Sequence, residues 1–323
     1  MLYPLKFEPI LKEIIWGGDE ICRFKNLFPR RSGVGESWEI SHVKNNVSIV
    51  ANGELKGKSL EELIDIYGEK LVGGKVLERF GTTFPLLIKF IDARTPLSVQ
   101  VHPNDSLAKQ RHNSFGKTEM WYVVRATQGA YLYSGFARSM TPEEYVSSLE
   151  DDTFIDYLQR HEVTSGDVFF LPAGRVHAIG AGCFIAEIQQ TSDITYRIYD
   201  YNRKDANGNP RELHTELAKD AIDYEVYPNY KSDYIPGQRP VQTLVSCPYF
   251  TTNLIEGKKG DVIQAAHPDS FSIYIGLEGN TQLTDANGYS IELRQGETVL
   301  FPAENQLTTL AFKEKGKLLE VYI

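Results

Sequence analysis

The sequence predicts a mainly β protein built from two modules with small helical insertions. Its 323 residues are too many for one small core and suit two modules, or one with a large insertion. Its 18 Tyr and 16 Phe residues, together with many Val, Ile and Thr, favour strands. Short apolar or alternating segments, bounded by Gly and Pro turns, recur along the chain. Together these observations predict sheets packed on sheets.

The N-terminal quarter combines short strands with one helix. Glycine turns punctuate the first 57 residues, and a strand is predicted over residues 46–51. Ser59 and Glu62 have the spacing of a capping box, in which each side chain bonds the backbone N–H of the other residue. Apolar residues at helical spacing follow. The pattern predicts a helix over residues 59–79.

Two further strands carry the first candidate site residues. The nearly continuous apolar run 84–91 is typical of a strand buried on both faces. Residues 97–102 alternate, and Gln100 and His102 share one face because strand side chains alternate with period two. The turn after His102 predicts a short helix ending near His112. Strand character returns in four segments: 119–124, 129–136, 168–171 and 183–190.

The remaining pattern divides the chain into two units. Thr141, followed by Pro and two Glu residues, predicts a helical insertion over 141–160, and residues 215–223 predict another helix. The Pro- and Tyr-rich segment 225–240 is a candidate linker, followed by closely spaced strands. Residues 166–172 and 296–302 match in character, as a duplicated module would. We expect a catalytic domain at 1–235 and a metal-free β domain at 236–323.

Composition limits the possible partners and location. A formal net charge of −9 argues against nucleic acid as the main partner, which would need a basic face. The N-terminal residues do not resemble a signal peptide, and no apolar run approaches the ~20 residues that span a bilayer. The three cysteines form neither a disulfide framework nor a metal knuckle. These features predict a cytoplasmic protein that binds neither nucleic acid nor membrane. A monomer is expected, because the sequence shows no exposed heptad repeat and no long apolar edge.

Two motifs resemble those of the cupin superfamily. Gly166, Pro172, Gly174 and His177 have the spacing of the second cupin motif, with turns that direct the histidine back into a barrel. The closing Asn of that motif is Ala181 here. In place of the first motif's paired histidines the chain has Gln100-x-His102, and its Glu, Glu119, follows only after a sixteen-residue insertion. The superfamily resemblance implies two cupin-type jelly-roll barrels.

In these departures from the cupin pattern the chain resembles the type I phosphomannose isomerases. The metal ligands of that family are Gln, His, Glu and His. Six ordered segments of the chain are similar to that family: 5–18, 35–41, 86–92, 97–103, 116–119 and 195–200. The compact length resembles the short bacterial form. The resemblance implies a metal-dependent isomerase that interconverts mannose 6-phosphate and fructose 6-phosphate.

The family resemblance assigns roles residue by residue. Gln100, His102, Glu119 and His177 match the metal ligands, which implies one Zn²⁺ per chain. Arg197 matches the proposed active-site arginine, and Lys117 matches a lysine proposed to act near the substrate. Asp193 matches an acidic residue four positions before that arginine. The expected partner is a sugar phosphate.

Two other functions fit parts of the pattern. A cupin oxygenase would hold Fe(II) with two His and one carboxylate, although a Gln ligand would be atypical there. A non-catalytic sugar-binding protein would keep the fold without turnover, because a fold alone does not fix function. The proton-transferring base and the phosphate-binding residues are not identified by the sequence.

Overall fold

The computed structural model describes residues 1–204 and 208–323, and it has a mainly β fold. Strands make up 41% of the chain and helices 16%, which confirms the predicted fold class at that level. The described strands, in chain order, are β1 Leu5–Lys6, β2 Ile10–Gly18, β3 Val34–Ile40, β4 His42–Val43, β5 Asn46–Val47, β6 Leu86–Ala93, β7 Val99–Val101, β8 Glu119–Ala126, β9 Tyr131–Phe136, β10 Leu158–Glu162, β11 Val168–Leu171, β12 His177–Ile179, β13 Cys183–Gln190, β14 Tyr196–Tyr199, β15 Val241–Ser246, β16 Thr251–Gly257, β17 Val262–Ala266, β18 Ser272–Glu278, β19 Asn280–Asp285, β20 Ser290–Arg294, β21 Thr298–Phe301, β22 Leu307–Phe312 and β23 Gly316–Tyr322.

Short helices interrupt the strands, mostly in the first two thirds of the chain. They are α1 Glu20–Phe24, α2 Leu60–Tyr67, α3 Glu69–Val72, α4 Gly74–Phe80, α5 Asp105–His112, α6 Pro142–Glu150 and α7 Thr215–Ala221, with a 3₁₀ turn at Phe154–Tyr157. Each predicted capping box forms: Ser59 caps α2 with Glu62, and Thr141 caps α6 with Glu144. None of the helices in the described part of the chain is long and apolar enough to cross a membrane.

The strands form two pairs of antiparallel sheets. Sheet I has the order β11-β8-β13-β6-β2-β3, with β3 also pairing with β6, and sheet II has the order β10-β9-β12-β7-β14. Sheet III has the order β1-β21-β18-β23-β16-β15, and sheet IV has the order β17-β22-β19-β20. A two-stranded ribbon joins β4 to β5. Sheet III therefore includes β1, from the start of the chain, at its edge.

Apolar side chains fill three layers between these sheets. One cluster joins Trp121 and Ile185 of sheet I to Leu132 of sheet II. A second joins Tyr274 of sheet III to Leu310 of sheet IV. The largest cluster joins sheet I to sheet III and includes buried residues of α2, α3 and α4. The largest cluster therefore packs one sheet pair against the other. Burial of apolar area stabilises such packing by roughly 25 cal/mol per Å².

The prediction of a single helix over 59–79 is wrong, because glycines interrupt it. Three short helices, α2, α3 and α4, occupy that segment, separated at Gly68 and Gly73. These glycines have φ values of 48° and 97°, which break a right-handed helix. A Cβ atom at Gly73 would lie 2.2 Å from the carbonyl oxygen of Asp269, so the break also lets α4 approach the second sheet pair.

Two other boundaries were predicted wrongly, and one repeat forms as expected. The strand predicted over 46–51 is only β5, because the following residues turn toward β1 and α2. The helical insertion predicted over 141–160 ends at Glu150, and β10 begins at Leu158. Both copies of the repeat have the same local structure: a glycine of positive φ, Gly166 or Gly296, precedes a four-residue strand.

Candidate metal centre and active site

Three buried side chains from different strands meet between sheets I and II. His102 follows β7, Glu119 begins β8 and His177 begins β12. Their potential ligand atoms all lie within 4.8 Å of one another, and each side chain is at most 1% exposed. This is the one such grouping of His, Cys, Asp and Glu within residues 1–204 and 208–323. Residues distant in sequence therefore converge where the sequence predicted a metal.

Local structure fixes each of the three positions. Gly174 has a φ of 92° and donates its N–H to the carbonyl of His102 at 2.9 Å, which holds the turn before β12 against the end of β7. His177 then pairs across the sheet with Gln100. Glu119 pairs with Leu171 and Gln189 in the middle of sheet I. Sheet pairing, rather than a flexible loop, sets the geometry.

Both imidazole rings are oriented by backbone carbonyls. Nδ1 of His102 lies 2.8 Å from the carbonyl oxygen of Ile194, and Nδ1 of His177 lies 2.8 Å from that of Arg175. A carbonyl can only accept a hydrogen bond, so each Nδ1 carries the proton. The neutral rings then present unprotonated Nε2 atoms to the cluster. A partner of this kind is usual for metal-binding histidines.

The donor atoms fit a divalent cation. Nε2 of His177 and both carboxylate oxygens of Glu119 are buried and have no hydrogen-bond partner. Oε1 of Glu119 lies 3.2 Å from Nε2 of His177, and Oε2 lies 3.6 Å from Nε2 of His102. Burying unpartnered acceptors costs about 1–3 kcal/mol each unless something binds them. Two imidazoles and a carboxylate are the donors that a transition metal or zinc prefers.

The pKa values agree with this interpretation. Burial lowers the pKa of His177 to about 4 and that of His102 well below its usual value. Burial and the nearby carboxylate of Glu187 raise the pKa of Glu119 to about 7. The histidines are therefore neutral and able to coordinate at physiological pH. A bound cation would favour the ionised form of Glu119.

Lys117 contacts the cluster and also lines an adjoining pocket. Its ammonium nitrogen is 3.2 Å from Nε2 of His102 and 3.4 Å from Oε2 of Glu119. The ammonium therefore donates to a lone pair that a metal would use. It also connects the buried cluster to the adjoining pocket.

Gln100 and Arg197 lie beside the cluster on sheet II. Gln100 pairs directly with His177 on one side and with Arg197 on the other. Residues that pair directly in a sheet project from the same face, so these three side chains are neighbours. Nη1 of Arg197 donates to the carbonyl of Glu212 at 3.0 Å, whereas its buried Nε has no partner. All the predicted site residues thus occupy one region of the fold.

The adjoining pocket has a volume of about 370 Å³, within the range of small-molecule sites. Gln100, Lys117, Asp193 and Arg197 line it. Two arginines, Arg197 and Arg211, place positive charge on this wall. Burial and the nearby cation of Arg211 both lower the pKa of Arg197. His214, which belongs to neither of the two histidine motifs, also lines the pocket, and its Nδ1 accepts the backbone N–H of Arg197 at 3.1 Å.

Sequence reasoning missed a buried ion pair on the opposite wall. Nζ of Lys89 lies 3.0 Å from Oε1 of Glu187, and Trp121 donates to Oε2 of Glu187 at 2.8 Å. Burial alone would lower the pKa of Lys89, but Glu187 and Glu36 outweigh it and raise that pKa. The pair is therefore charged. One signal was available: a lysine inside an apolar run is costly to bury unless it has a partner.

Comparison with known proteins identifies the family. The chain is 35% identical over 302 residues to mannose-6-phosphate isomerase of Bacillus subtilis, a match that covers 93% of each chain. This chain belongs to the type I phosphomannose isomerase family. The catalytic-domain model of type I phosphomannose isomerase matches residues 5–122. That matched segment includes three of the four predicted metal ligands and Lys117.

Other phosphomannose isomerases extend the similarity to sequence and structure over most of the chain. Mannose-6-phosphate isomerase of Streptococcus mutans is 37% identical over 252 residues, which cover 78% of each chain. The crystal structure of mannose 6-phosphate isomerase from Bacillus subtilis superposes with a TM-score of 0.89 at 31% identity, over 100% of both chains. The resemblance inferred from the sequence motifs is therefore confirmed.

Proposed function

We propose that this protein interconverts mannose 6-phosphate and fructose 6-phosphate at the pocket beside the buried cluster. The supporting observation is the convergence of His102, Glu119 and His177 next to a pocket lined by Lys117 and Arg197. Both carboxylate oxygens of Glu119 and Nε2 of His177 are buried there without a hydrogen-bond partner. Its relatives in Bacillus subtilis and Streptococcus mutans are named mannose-6-phosphate isomerases. Site geometry and family membership therefore support the same reaction.

The proposed cofactor is one Zn²⁺ per chain, held by His102, Glu119, His177 and the side-chain oxygen of Gln100. Two imidazole nitrogens and a carboxylate suit zinc. Gln100 pairs directly with His177 and so projects toward the same space. When bound, such an ion would order two sugar oxygens and stabilise negative charge that develops on them.

The side chains around the pocket would handle charge and protons. Moving a proton between C1 and C2 creates an enediol-like intermediate with charge on oxygen. Arg197, whose buried Nε has no partner, would stabilise that charge. Lys117 would donate from Nζ to a sugar oxygen or assist the proton transfer. Arg211, which lines the same wall and pairs with Asp200, would add positive charge for the phosphate.

Two other proposals from the sequence are less well supported. An Fe(II) oxygenase would use the same two histidines and carboxylate, but the sequence relatives are named isomerases. A non-catalytic sugar-binding protein would have little need for three buried, unpartnered ligand atoms, since these cost stability.

The finer architectural and cellular assignments are also proposals. We propose that sheets I and II, and sheets III and IV, form two cupin-type jelly rolls, with a catalytic domain at 1–235 and a metal-free domain at 236–323. The acidic chain, with a net charge of −9, would act as a cytoplasmic monomer on a sugar phosphate, without nucleic acid or membrane partners.

The decisive experiment is a coupled assay of the purified protein with mannose 6-phosphate, which measures fructose 6-phosphate. Metal analysis of the same preparation would identify the ion. Turnover together with about one zinc per chain would support the proposal, whereas iron would favour the oxygenase. Absence of isomerisation in zinc-loaded protein would reject the function.

A further inference from the structure

A carboxylate outside the pocket connects the second sheet pair to the segment just before β8, which contains Lys117. Asp105 is the first residue of α5, in a helix capped by the side chain of Asn104. Its Oδ1 accepts the backbone N–H of Gly116 at 2.8 Å and Nε2 of Gln190 at 3.0 Å. Its Oδ2 accepts the hydroxyl of Tyr249 at 2.7 Å. Three separate parts of the chain therefore meet at this one carboxylate.

The contacts of Asp105 with Gly116 and Gln190 hold the segment that contains Lys117 and Glu119 in place. Asp105 orients Gln190, which makes two hydrogen bonds to Thr118. The side-chain Oε1 of Gln190 accepts the N–H of Thr118 at 2.8 Å, and the backbone N–H of Gln190 donates to the carbonyl of Thr118 at 3.0 Å. Thr118 lies between Lys117 and Glu119. Gln190 thus holds both the backbone N–H and the carbonyl of Thr118, so Asp105 acts on the two site residues indirectly.

Close packing explains why this segment depends on Asp105. A Cβ atom at Gly116 would lie 2.6 Å from the backbone nitrogen of Asp105, so the segment runs directly against the start of α5. The hydroxyl of Thr118 accepts the N–H of Ala173 at 3.2 Å, in the turn that leads to His177. A shift of residues 116–118 would therefore disturb both sides of the buried cluster.

The third contact comes from the second half of the chain. Tyr249 lies in the turn between β15 and β16 of sheet III, and the guanidinium of Arg79 lies 5.4 Å from its ring. Burial and the neighbouring carboxylate of Asp105 raise the pKa of Tyr249 to about 12, so its hydroxyl stays protonated and donates. The turn of sheet III thereby sets the position of the carboxylate.

We infer that Asp105 is a positioning residue for the isomerase site, and that Tyr249 of sheet III holds it in place. This inference rests on the proposed function. Hydrogen-bond partners one step removed from a metal site typically contribute 10- to 100-fold to metal affinity or activity. The second sheet pair would then support catalysis through the hydrogen bonds that join Tyr249, Asp105 and Gln190, rather than only stabilise the fold.

The test compares Asp105→Ala, Asp105→Asn and Tyr249→Phe in the full-length enzyme. We expect Asp105→Ala to lower kcat and zinc affinity by about 10-fold or more, with KM little changed. Asp105→Asn should restore both, because its amide oxygen can accept from Gly116 and Gln190 while its amide nitrogen donates to Tyr249. Tyr249→Phe, which removes one hydrogen bond, should change both quantities in the same direction but less.

Asp269→Ala is the matched control. Asp269 also joins the second half of the chain to backbone N–H groups of the first, those of Gly74 and Lys75, but it makes no contact with residues 116–119. Its substitution should lower stability without changing zinc affinity or kcat. Zinc affinity is measured by competition with a chelator, which requires no turnover.

The outcomes separate this inference from the proposed function. Wild-type enzyme that neither binds zinc nor isomerises the substrate rejects the function itself. An active wild type whose Asp105→Ala variant keeps normal kcat and zinc affinity overturns the role of Asp105. An equal loss in Asp269→Ala, or no rescue by Asp105→Asn, also overturns it. If Asp105→Ala does not fold, Tyr249→Phe decides. A parallel fall in kcat and zinc affinity supports the positioning role, and wild-type values of both overturn it.

Discussion

Each sheet pair of this protein buries a carboxylate beside a histidine, but only one of the two clusters has unpartnered atoms. In the first, Glu119 and His177 present ligand atoms that no hydrogen bond satisfies. In the second, Glu320 is fully satisfied: His267 and Tyr274 donate to one oxygen at 2.9 and 3.1 Å. Asn253 donates to the other oxygen at 2.8 Å.

This difference distinguishes a candidate metal site from a structural network. Satisfied buried polar groups rigidify a core, whereas unsatisfied ones cost free energy that a ligand can recover. Residue types alone do not separate the two clusters, since both combine His with Glu. The two clusters differ in whether their buried polar atoms have hydrogen-bond partners. Substitutions in the unpartnered cluster should therefore lower activity, and substitutions in the satisfied cluster should lower stability.

The largest effect is expected when a ligand of the unpartnered cluster is removed. His177→Ala should lower turnover by about 10³-fold or more, equivalent to ~4 kcal/mol, because it removes a metal ligand. Bound zinc should fall with it, as measured by elemental analysis after dialysis. His267→Ala is the control from the other cluster and should keep normal metal content and turnover. Full activity in His177→Ala would contradict the site.

Lys117 provides the next test, since its ammonium contacts the same lone pair on His102 that a metal would use. Lys117→Met should lower kcat by about 10²-fold, as expected for loss of a positioned proton donor. It should bind zinc at least as tightly as wild type, because a neighbouring positive charge is removed. A chelator titration and the coupled assay measure the two quantities.

Lys109→Met is the control for the lysine substitution. Lys109 is exposed on α5 and bonds only to Asn113 at 2.6 Å among the contacts described. It should behave as wild type in both measurements. Zinc loss in Lys117→Met would mean that the lysine stabilises the cluster rather than acting on substrate.

Substitutions in the satisfied cluster around Glu320 should lower the stability of the fold rather than activity. Glu320→Gln turns one acceptor oxygen into a donor amide that faces donor groups, so it should lower the free energy of unfolding by about 2 kcal/mol. Urea denaturation of the metal-free protein measures this. Zinc content and kcat of the remaining folded protein should match wild type. A loss of zinc would show that the cluster has a functional role.

The smallest effect concerns the pH dependence of metal-free protein. The pKa of Glu119 is raised to about 7, so the folded state binds a proton more tightly than the unfolded state does. The stability gained from that proton is complete below the unfolded pKa and is lost as pH rises toward 7. Glu119→Gln, which cannot ionise, should therefore be more stable than wild type at pH 8.

The stability advantage of Glu119→Gln over wild type should shrink as pH falls toward the usual carboxyl pKa. At pH 8, added zinc should make wild type the more stable of the two. Thermal unfolding at several pH values, with and without zinc, measures both changes. His102 and His177 act in the opposite sense in wild type and variant alike, because lowered histidine pKa values make stability rise with pH. The difference between the two proteins isolates Glu119.

Most of the candidate site could be predicted from local sequence signals. Gln100 and His102 share a face because they alternate along a strand, and Gly174 marks the turn that places His177. Glu119 was assigned only through the family resemblance, since its distance along the chain gives no local signal. Family membership is confirmed, and these residue roles stay predictions.

Tertiary contacts explain what the sequence could not indicate. Glu187 lies in a strand whose sequence gives no sign of an ion pair, and only pairing across sheet I places it against Lys89. Asp105 resembles an ordinary first-turn residue of a helix, and its contact with Tyr249 joins positions 144 residues apart. The helix over 59–79 was predicted wrongly for a local reason: Gly68 and Gly73 are visible breakers.

The pairing of β1 with β21 has a consequence for making this protein. Leu5 and Lys6 pair with Leu300 and Val299, so β1, which is synthesised well before the other strands of sheet III, forms the outer edge of that sheet. Sheet III cannot be completed on the ribosome until nearly the whole chain has emerged. A fragment comprising 236–323 would leave the backbone of β21 open to pairing with other molecules, which favours aggregation during expression.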